Sequence, residues 1–229
     1  MSVDLEVVVA RYRERVDWTR NVPRAVRVSI YDKGGDLDAT RFGLAARLAN
    51  VGREAETYLR HIVSRWDSLA EVTVFCQGHP FDHASDLHRV LADLAAGRAR
   101  VDDFRWLGFI IDTDDARGRR LFATWSKNLE GRELAVDVFH EALFGEPAPG
   151  FVRFYPGGQF AVTAACVRAR PRDFYLRALE LATSFPDAAH CFERLWDRVF
   201  GVTGVDPALL GDALCRYLKP VRRGQILQE

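Results

Sequence analysis

The chain has 229 residues, 48% of them apolar and 28% charged, which excludes a disordered or fibrous protein. Its 32 basic and 32 acidic residues cancel, so no global field draws it to nucleic acid or to an anionic membrane, and neither is expected as a partner. Met1–Glu6 lacks the basic start and apolar core of a signal peptide, and no segment approaches the roughly 20 apolar residues of a membrane helix, so the expected location is the cytoplasm.

The basic residues include only three lysines, Lys33, Lys127 and Lys219; the arginine bias favours planar, bidentate contacts to carboxylate or phosphate. Cys76, Cys166, Cys191 and Cys215 lie in apolar stretches without a CxxC pair and read as small buried hydrophobes of a reducing compartment.

In chain order, Leu5 to Ala10 is a Val-rich run with the character of a buried strand, and Ala25 to Tyr31 is a second, stopped by Asp32-Lys33-Gly34-Gly35. Two short strands ending in charged loops suggest a parallel sheet that presents its carboxyl edge to a ligand. A polar link runs to Arg47. Then Ala55, Tyr58, Leu59, Ile62, Val63 and Trp66 carry the three-four spacing of an amphipathic helix entered at Asn50-Val51-Gly52-Arg53-Glu54. Val72 to Cys76 is a third strand, ended by Gln77-Gly78-His79-Pro80-Phe81-Asp82-His83. Leu87, Val90, Leu91 and Leu94 mark a helix, Leu107 to Ile111 a possible strand, and Asp112 to Arg120 a charged loop.

A helix is expected around Arg132 to Phe144, and the Gly- and Pro-rich stretch 145–150 reads as a crossing between halves rather than a domain boundary. Phe151 to Phe154 and Phe160 to Thr163 flank Pro156-Gly157-Gly158 as strands. Pro171 opens a helix with Phe174, Tyr175, Ala178 and Leu179 on its apolar side. Phe192, Leu195, Trp196, Val199 and Phe200 define the last helix, closed by Gly201. The alternation predicts an α/β sandwich without internal repeats.

The helix entrance combines a capping residue, Asn50, with Gly52, which lets backbone N–H groups approach a ligand, and Arg53, able to grip a phosphate. The plainer reading is a capped helix with a surface ion pair at Arg53. Asp32 could accept from a base or ribose, or serve only as a turn residue. His79, Asp82 and His83, beside Gln77, put two imidazoles and a carboxylate at the end of a strand, a donor set for a divalent metal; otherwise Asp82 caps the next helix and the histidines pack or face water. Pro80 makes this a loop, unlike the helical H-E-x-x-H of zinc proteases. His190 and Glu193 lie beside the aromatic face that includes Trp196. Glu193 is there either as a general base raised in pKa by desolvation or as a salt-bridged structural acid. His140-Glu141 is read as a surface helix face. No GxSxG elbow, Walker loop or GxGxxG fingerprint is present.

Val7-Val8-Val9-Ala10-Arg11-Tyr12, Ile30-Tyr31-Asp32-Lys33-Gly34, Asn50-Val51-Gly52-Arg53-Glu54-Ala55 with Tyr58-Leu59, Phe75-Cys76-Gln77-Gly78, Gly157-Gly158-Gln159-Phe160-Ala161-Val162 and Glu193-Arg194-Leu195-Trp196 together resemble a domain-of-unknown-function family over nearly the whole chain. More distantly, the same order is similar to nucleotide-sugar glycosyltransferases of the GT-A fold, of the rhamnan-synthesis type. Their Asn-x-Gly-Arg-Asp helix start, Gly-Thr-Met-Phe strand and His-Ala-x-Glu-Arg helix correspond to Asn50 to Glu54, Gly158 to Ala161, and His190-Cys191-Phe192-Glu193-Arg194.

That resemblance implies that Arg11, Tyr12 and Asp32 line the nucleotide and that Asn50, Gly52 and Arg53 hold ribose or phosphate. It implies an acceptor side shaped by Gly157, Gly158, Gln159 and His190, and a catalytic carboxylate at Glu193. The metal-binding Asp-x-Asp is replaced by Gln77-Gly78-His79, which leaves His79, Asp82 and His83 to hold Mn²⁺ or Mg²⁺, with Asp82 also in the catalytic set. The expectation is therefore a single GT-A-like domain over residues 1–229, a sandwich whose mostly parallel central sheet is flanked by helices. Residues 1–111 would form its nucleotide- and metal-binding half and 151–229 its acceptor half. It would move a sugar from a nucleotide-diphosphate donor to a soluble small-molecule or peptide acceptor. The alternatives are a phosphoester hydrolase that activates water on a metal at His79, Asp82 and His83, and a nucleotide-binding module without turnover.

Overall fold

A Val- and Leu-rich run with both faces buried belongs in the middle of a sheet, and β1 (Leu5–Arg11) is there: Leu5, Val7, Val8 and Val9 are at most 1% exposed. The computed structural model describes residues 3–218; residues 1–2 and 219–229 of the expected 1–229 span, Lys219 among them, lie outside the described residues. After β1 come β2 (Val26–Asp32), β3 (Leu44–Arg47), α1 (Arg53–Ser64), β4 (Val72–Gln77), α2 (Leu87–Ala95), β5 (Phe104–Trp106) and β6 (Ile110–Asp115). The second half supplies α3 (Val136–Phe144), β7 (Phe151–Phe154), β8 (Phe160–Thr163), α4 (Ala164–Arg168), α5 (Arg172–Ser184), α6 (Ala188–Val199) and β9 (Cys215–Tyr217).

The main sheet is six-stranded in the order β3-β2-β1-β4-β8-β5. β3, β2, β1 and β4 are mutually parallel, with Val7 opposite both Val28 and Val74, and β8 runs antiparallel between β4 and β5. A smaller antiparallel sheet, β7-β6-β9, stands beside it. The side-chain period of two divides the core between the faces. Val8 and Phe75 join Tyr58, Leu59, Phe160 and Trp196 under α1, α5 and α6, whereas Val7, Val9, Val74 and Cys76 pack with Leu87 and Leu91 of α2. The sheets draw on both expected halves: β8 sits between β4 and β5, and β6 sits between β7 and β9.

Several local expectations are corrected. The polar link before Arg47 carries β3, which adds to the outer edge of β2. The strand expected at 107–111 is displaced, because β5 ends at Trp106 and β6 runs through Asp115 into the stretch read as a charged loop. β6 tolerates acids because they are paired: Asp114, fully buried, receives Nε and Nη2 of Arg194 at 2.9 and 2.8 Å, and Asp112 receives Nη1 of Arg120 at 2.7 Å. α3 starts at Val136 rather than Arg132, since Asn128 spends its amide on the carbonyls of Phe122 and Arg132 and holds that stretch as a turn. His140 is 1% exposed, bonded through Nδ1 to the carbonyl of Glu146, and not on a surface face.

Among the described residues, no helix is long and apolar enough to cross a membrane.

Candidate functional site

In an open parallel sheet the crevice lies where consecutive connections leave in opposite directions, outside the carboxyl ends of the strands. Here that point lies between β1 and β4, because β2 and β3 were laid down on one side of β1 and β4 on the other. A hollow of about 400 Å³ opens there, lined by Ala10, Arg11, Tyr12 and Glu14 after β1, Lys33 after β2, Asn50, Arg53 and Glu54 at the start of α1, and Gln77, His79 and Asp82 after β4.

Its first wall is built by buried charge. Arg11 Nη1 donates to Asp32 Oδ1 at 2.6 Å and to Asp36 Oδ1 at 2.7 Å, and its Nε donates to the carbonyl of Glu14 at 2.9 Å. Asp32, 0% exposed, also accepts from the N–H groups of Gly34 and Leu37, so its oxygens are committed to the loop and it does not border the hollow. The expected base- or ribose-binding aspartate instead fixes Arg11. Gly34 crosses the end of β1 so closely that a Cβ there would lie 1.7 Å from the Tyr12 carbonyl oxygen. Tyr12 itself is 42% exposed on the rim, with the Arg13 guanidinium over its ring at 5.1 Å from the centroid.

The second wall is the entrance of α1. Asn50 borders the hollow but does not cap the helix; Gly52 is the capping residue, at φ +61°, and no side chain supplies a capping bond. The turn is held from below by Lys33, whose Nζ donates at 2.5 Å to the carbonyls of Val51 and Arg53 and lies 2.8 Å from Glu56 Oε2. Burial pushes the Lys33 ammonium down from its ordinary value, against the pull of Glu56. Arg53 follows Gly52 in the left-handed region, at φ +48°, a conformation that costs a non-glycine residue of order 1–2 kcal/mol. Its half-exposed guanidinium donates through Nη1 to Nε2 of His190 at 2.9 Å. An arginine only donates, so the His190 proton sits on Nδ1, which faces Glu193 Oε2 at 3.8 Å.

Glu193 is not a desolvated base. Burial pushes its carboxyl up, but the His190 hydrogen bond, the Arg194 charge and the N–H of Gly157 outweigh that and hold it at about 2. Its Oε1 accepts from Gly157 N at 2.6 Å and its Oε2 from Arg194 Nη1 at 3.4 Å. Gly157, at φ +96°, leaves no room for a side chain, since a Cβ would meet the His83 ring at 2.4 Å. Gly158 sits over Trp196, and Gln159 is fully buried, its amide donating to the carbonyl of Pro80. The residues expected to face an acceptor therefore split: His190 is beside the hollow's Arg53, whereas Gln159 clamps the 80–83 loop from within.

The His79, Asp82 and His83 tract also splits. His79 Nδ1 and Asp82 Oδ2 lie 3.4 Å apart on the hollow's wall, both side chains more than half exposed. His83 turns away against Gly157, and burial pushes its imidazole down despite Glu193 and Asp82. Among the described residues, no group of three or more His, Cys, Asp or Glu side chains is placed to hold a metal ion.

Residues 7–216 match a protein family described as "Protein of unknown function (DUF3431)". The chain belongs to that family. A search of curated proteins gave no match to this DUF3431 member. Among solved structures it is similar to CMP:2-keto-3-deoxy-manno-octonic acid synthetase complexed with CTP, at 12% identity and a TM-score of 0.38, over 88% of each chain.

Two residues of this DUF3431 chain were passed over in the sequence. Lys33 looked like part of a Gly-Gly turn, and only its burial under α1 shows it as the tether of the helix entrance. Glu54 had the helix-start position but no signal of function, and it proves to be a hollow-lining carboxyl whose side chain is 12% exposed. Burial pushes that carboxyl up, with Glu193 adding to the rise and Arg53 and His190 opposing it.

Proposed function

We propose that the chain is a nucleotide-diphospho-sugar transferase of GT-A type, related to the rhamnan-synthesis enzymes, acting on a soluble small-molecule or peptide acceptor. The observation that carries the reading is the hollow at the β1/β4 switch point, which gathers Arg11, Lys33, Arg53 and the entrance of α1 against Gln77, His79 and Asp82. Its volume of about 400 Å³ falls within the range of small-ligand pockets.

The donor's diphosphate would lie across the start of α1, where the helix's N–H groups and positive end meet an anion. Arg53 is the cation free to follow the leaving group, being half exposed and held by one hydrogen bond to His190. Arg11 and Lys33, each fixed by carbonyls and carboxylates, would contribute charge without moving, which is electrostatic stabilisation by groups already in place. Tyr12 offers its ring to the base. His79 and Asp82 are the two side chains that would hold a Mn²⁺ or Mg²⁺ ion brought by the diphosphate, and such an ion would add positive charge to the leaving group. His83 does not join them, which counts against a hydrolase built on all three.

Calorimetric titration of UDP, GDP, CDP and dTDP, with and without Mn²⁺, tests the reading. One of them should bind and raise the melting temperature, and replacing Arg53 with Met should weaken it at least tenfold. Failure of all four to bind or stabilise at millimolar concentration would sink it. A module that binds without turnover is the competing reading, favoured by the commitment of Arg11, Asp32 and Lys33 to protein partners; nucleotide binding without hydrolysis or transfer of any sugar donor would select it.

A further inference from the structure

We propose that Glu54, and not Glu193, is the carboxylate that exchanges a proton with the substrate. The inference deepens the transferase reading and rests on it.

The two acids differ in the donors they already hold. Glu193 has both oxygens engaged, one by the Gly157 N–H at 2.6 Å and the other by Arg194 at 3.4 Å, with His190 beside it at 3.8 Å. A carboxylate so fully supplied with donors is a weak base and a good anchor, and what it anchors is the tight turn at Gly157. Glu193 is on this view a positioning residue. Glu54 is the opposite case. Glu54 is among the residues that line the hollow, its own backbone N–H is the hydrogen-bond donor acting on its carboxyl, and among the described residues its ion-pair partner is Arg53, at 3.8 Å. Beneath it, one helical turn on, Tyr58 is fully buried among Phe75, Phe160 and Trp196, and among the described residues its hydroxyl has no hydrogen-bond partner. The charged groups that act on Glu54 are Arg53 on α1, His190 and Glu193 on α6 and Lys33 after β2, while His79 and Asp82 after β4 share the hollow's lining with it. Burial, reinforced by Glu193, makes it a stronger base than an ordinary glutamate.

In the step this implies, the acceptor's hydroxyl proton passes to Glu54 as the acceptor oxygen bonds to the sugar's anomeric carbon. The bond from that carbon to the phosphate oxygen breaks, and its electron pair leaves with the nucleoside diphosphate, whose charge Arg53 meets. Glu54 then returns the proton to solvent. Placing Arg53 and Glu54 side by side at one helix entrance lets a single rigid element serve both the leaving group and the proton.

The test is calorimetry of UDP, GDP, CDP and dTDP in two buffers of different ionisation enthalpy, on wild type and Glu54→Gln, between pH 5.5 and 7.5. An incoming diphosphate raises the pKa of a carboxylate next to it, so wild type should take up more protons on binding than E54Q, the nucleotide's own titration cancelling in the difference. E54Q should bind the nucleotide within about threefold of wild type. Its turnover of whichever donor is used, water included as acceptor, should fall by about 10²- to 10⁴-fold with loss of the acidic limb of the kcat/KM profile. Equal proton uptake in the two proteins, or an unchanged pH profile, overturns the assignment and leaves the transferase reading intact. Absence of binding by all four nucleotides to wild type removes that reading, and the assignment with it. Should E54Q not fold, a ¹³C titration of the wild-type carboxyl decides the point: a Glu54 that titrates like an ordinary glutamate, unmoved by nucleotide, overturns the proposal.

Discussion

Arg53 Nη1 and His190 Nε2 meet at 2.9 Å, joining the first residue of α1 to the first turn of α6 across 137 positions of sequence. Arg53 borders two hollows, the one of about 400 Å³ at the strand ends and a second of about 250 Å³ lined also by Gly52, His190, the end of α5 and the start of α6. Arg53 holds this place in a backbone conformation that favours glycine, at φ +48°.

Arg53→Gly should therefore separate binding from stability. Loss of the guanidinium removes a charge-assisted contact worth about 1.5–3 kcal/mol to a diphosphate, or roughly tenfold or more in affinity. Relief of the left-handed backbone offsets glycine's entropic cost, so urea denaturation should find the fold within about 1 kcal/mol of wild type. A large loss of stability would show that the His190 contact holds α1 to α6.

Lys33→Met should be among the most damaging single changes. It leaves the carbonyls of Val51 and Arg53 without their donor and strips one of two cations from Glu56, which is 1% exposed and keeps only Arg60. Breaking a buried pair in this way costs about 3–5 kcal/mol, read as a lower midpoint in urea.

Gly157→Ala should fail for two separable reasons, the positive φ and the clash with His83. In a double-mutant cycle with His83→Ala, the second substitution should recover the part of the clash due to the ring, leaving the contact with the Cβ of residue 83 at 2.7 Å and the backbone strain of about 1–2 kcal/mol. Full recovery would mean that the turn adapts to an ordinary conformation.

Asp197 gives the fold a pH signature. Burial pushes its carboxyl up to about 6 despite the N–H groups of Gly204 and Arg198. Between the ordinary aspartate value and about 6, the folded chain keeps a proton the unfolded chain has lost, so stability falls as pH rises through that window and stays lower above it. Asp197→Asn removes the titration, and its stability relative to wild type should grow from pH 4 to pH 6.5 by up to about 3 kcal/mol.

His61, buried and lowered to about 4 chiefly by desolvation, acts in the other direction: the unfolded state binds the proton first, so stability is lost as pH falls from about 6.5 towards 4. Melting curves of His61→Gln should lack that acid-side loss. An unchanged slope in either variant would count against the buried environment assigned to it.

The periodic parts of the fold were legible in the chain itself. The Val and Leu of Leu5–Val9, broken only by Glu6, specify a strand covered on both faces, and the spacing of Tyr58, Leu59 and Ile62 specifies a helix with one buried stripe, because these patterns are the local geometry of the backbone. The acids of β6 were misread because Asp112 and Asp114 are apolar-like only once Arg120 and Arg194 arrive, Arg194 from 80 positions away. The glutamates at 54 and 193 show the same division. The sequence offers Glu54 only a helix start, and Glu193 either a general base or a salt-bridged structural acid, with the catalytic role the one implied by resemblance. Which of them is fully supplied with donors and which is left facing a hollow was decided by how α1, α6 and the Gly157 turn pack, since the free energy of a charge depends on the dipoles and solvent around it in space and not on its neighbours along the chain.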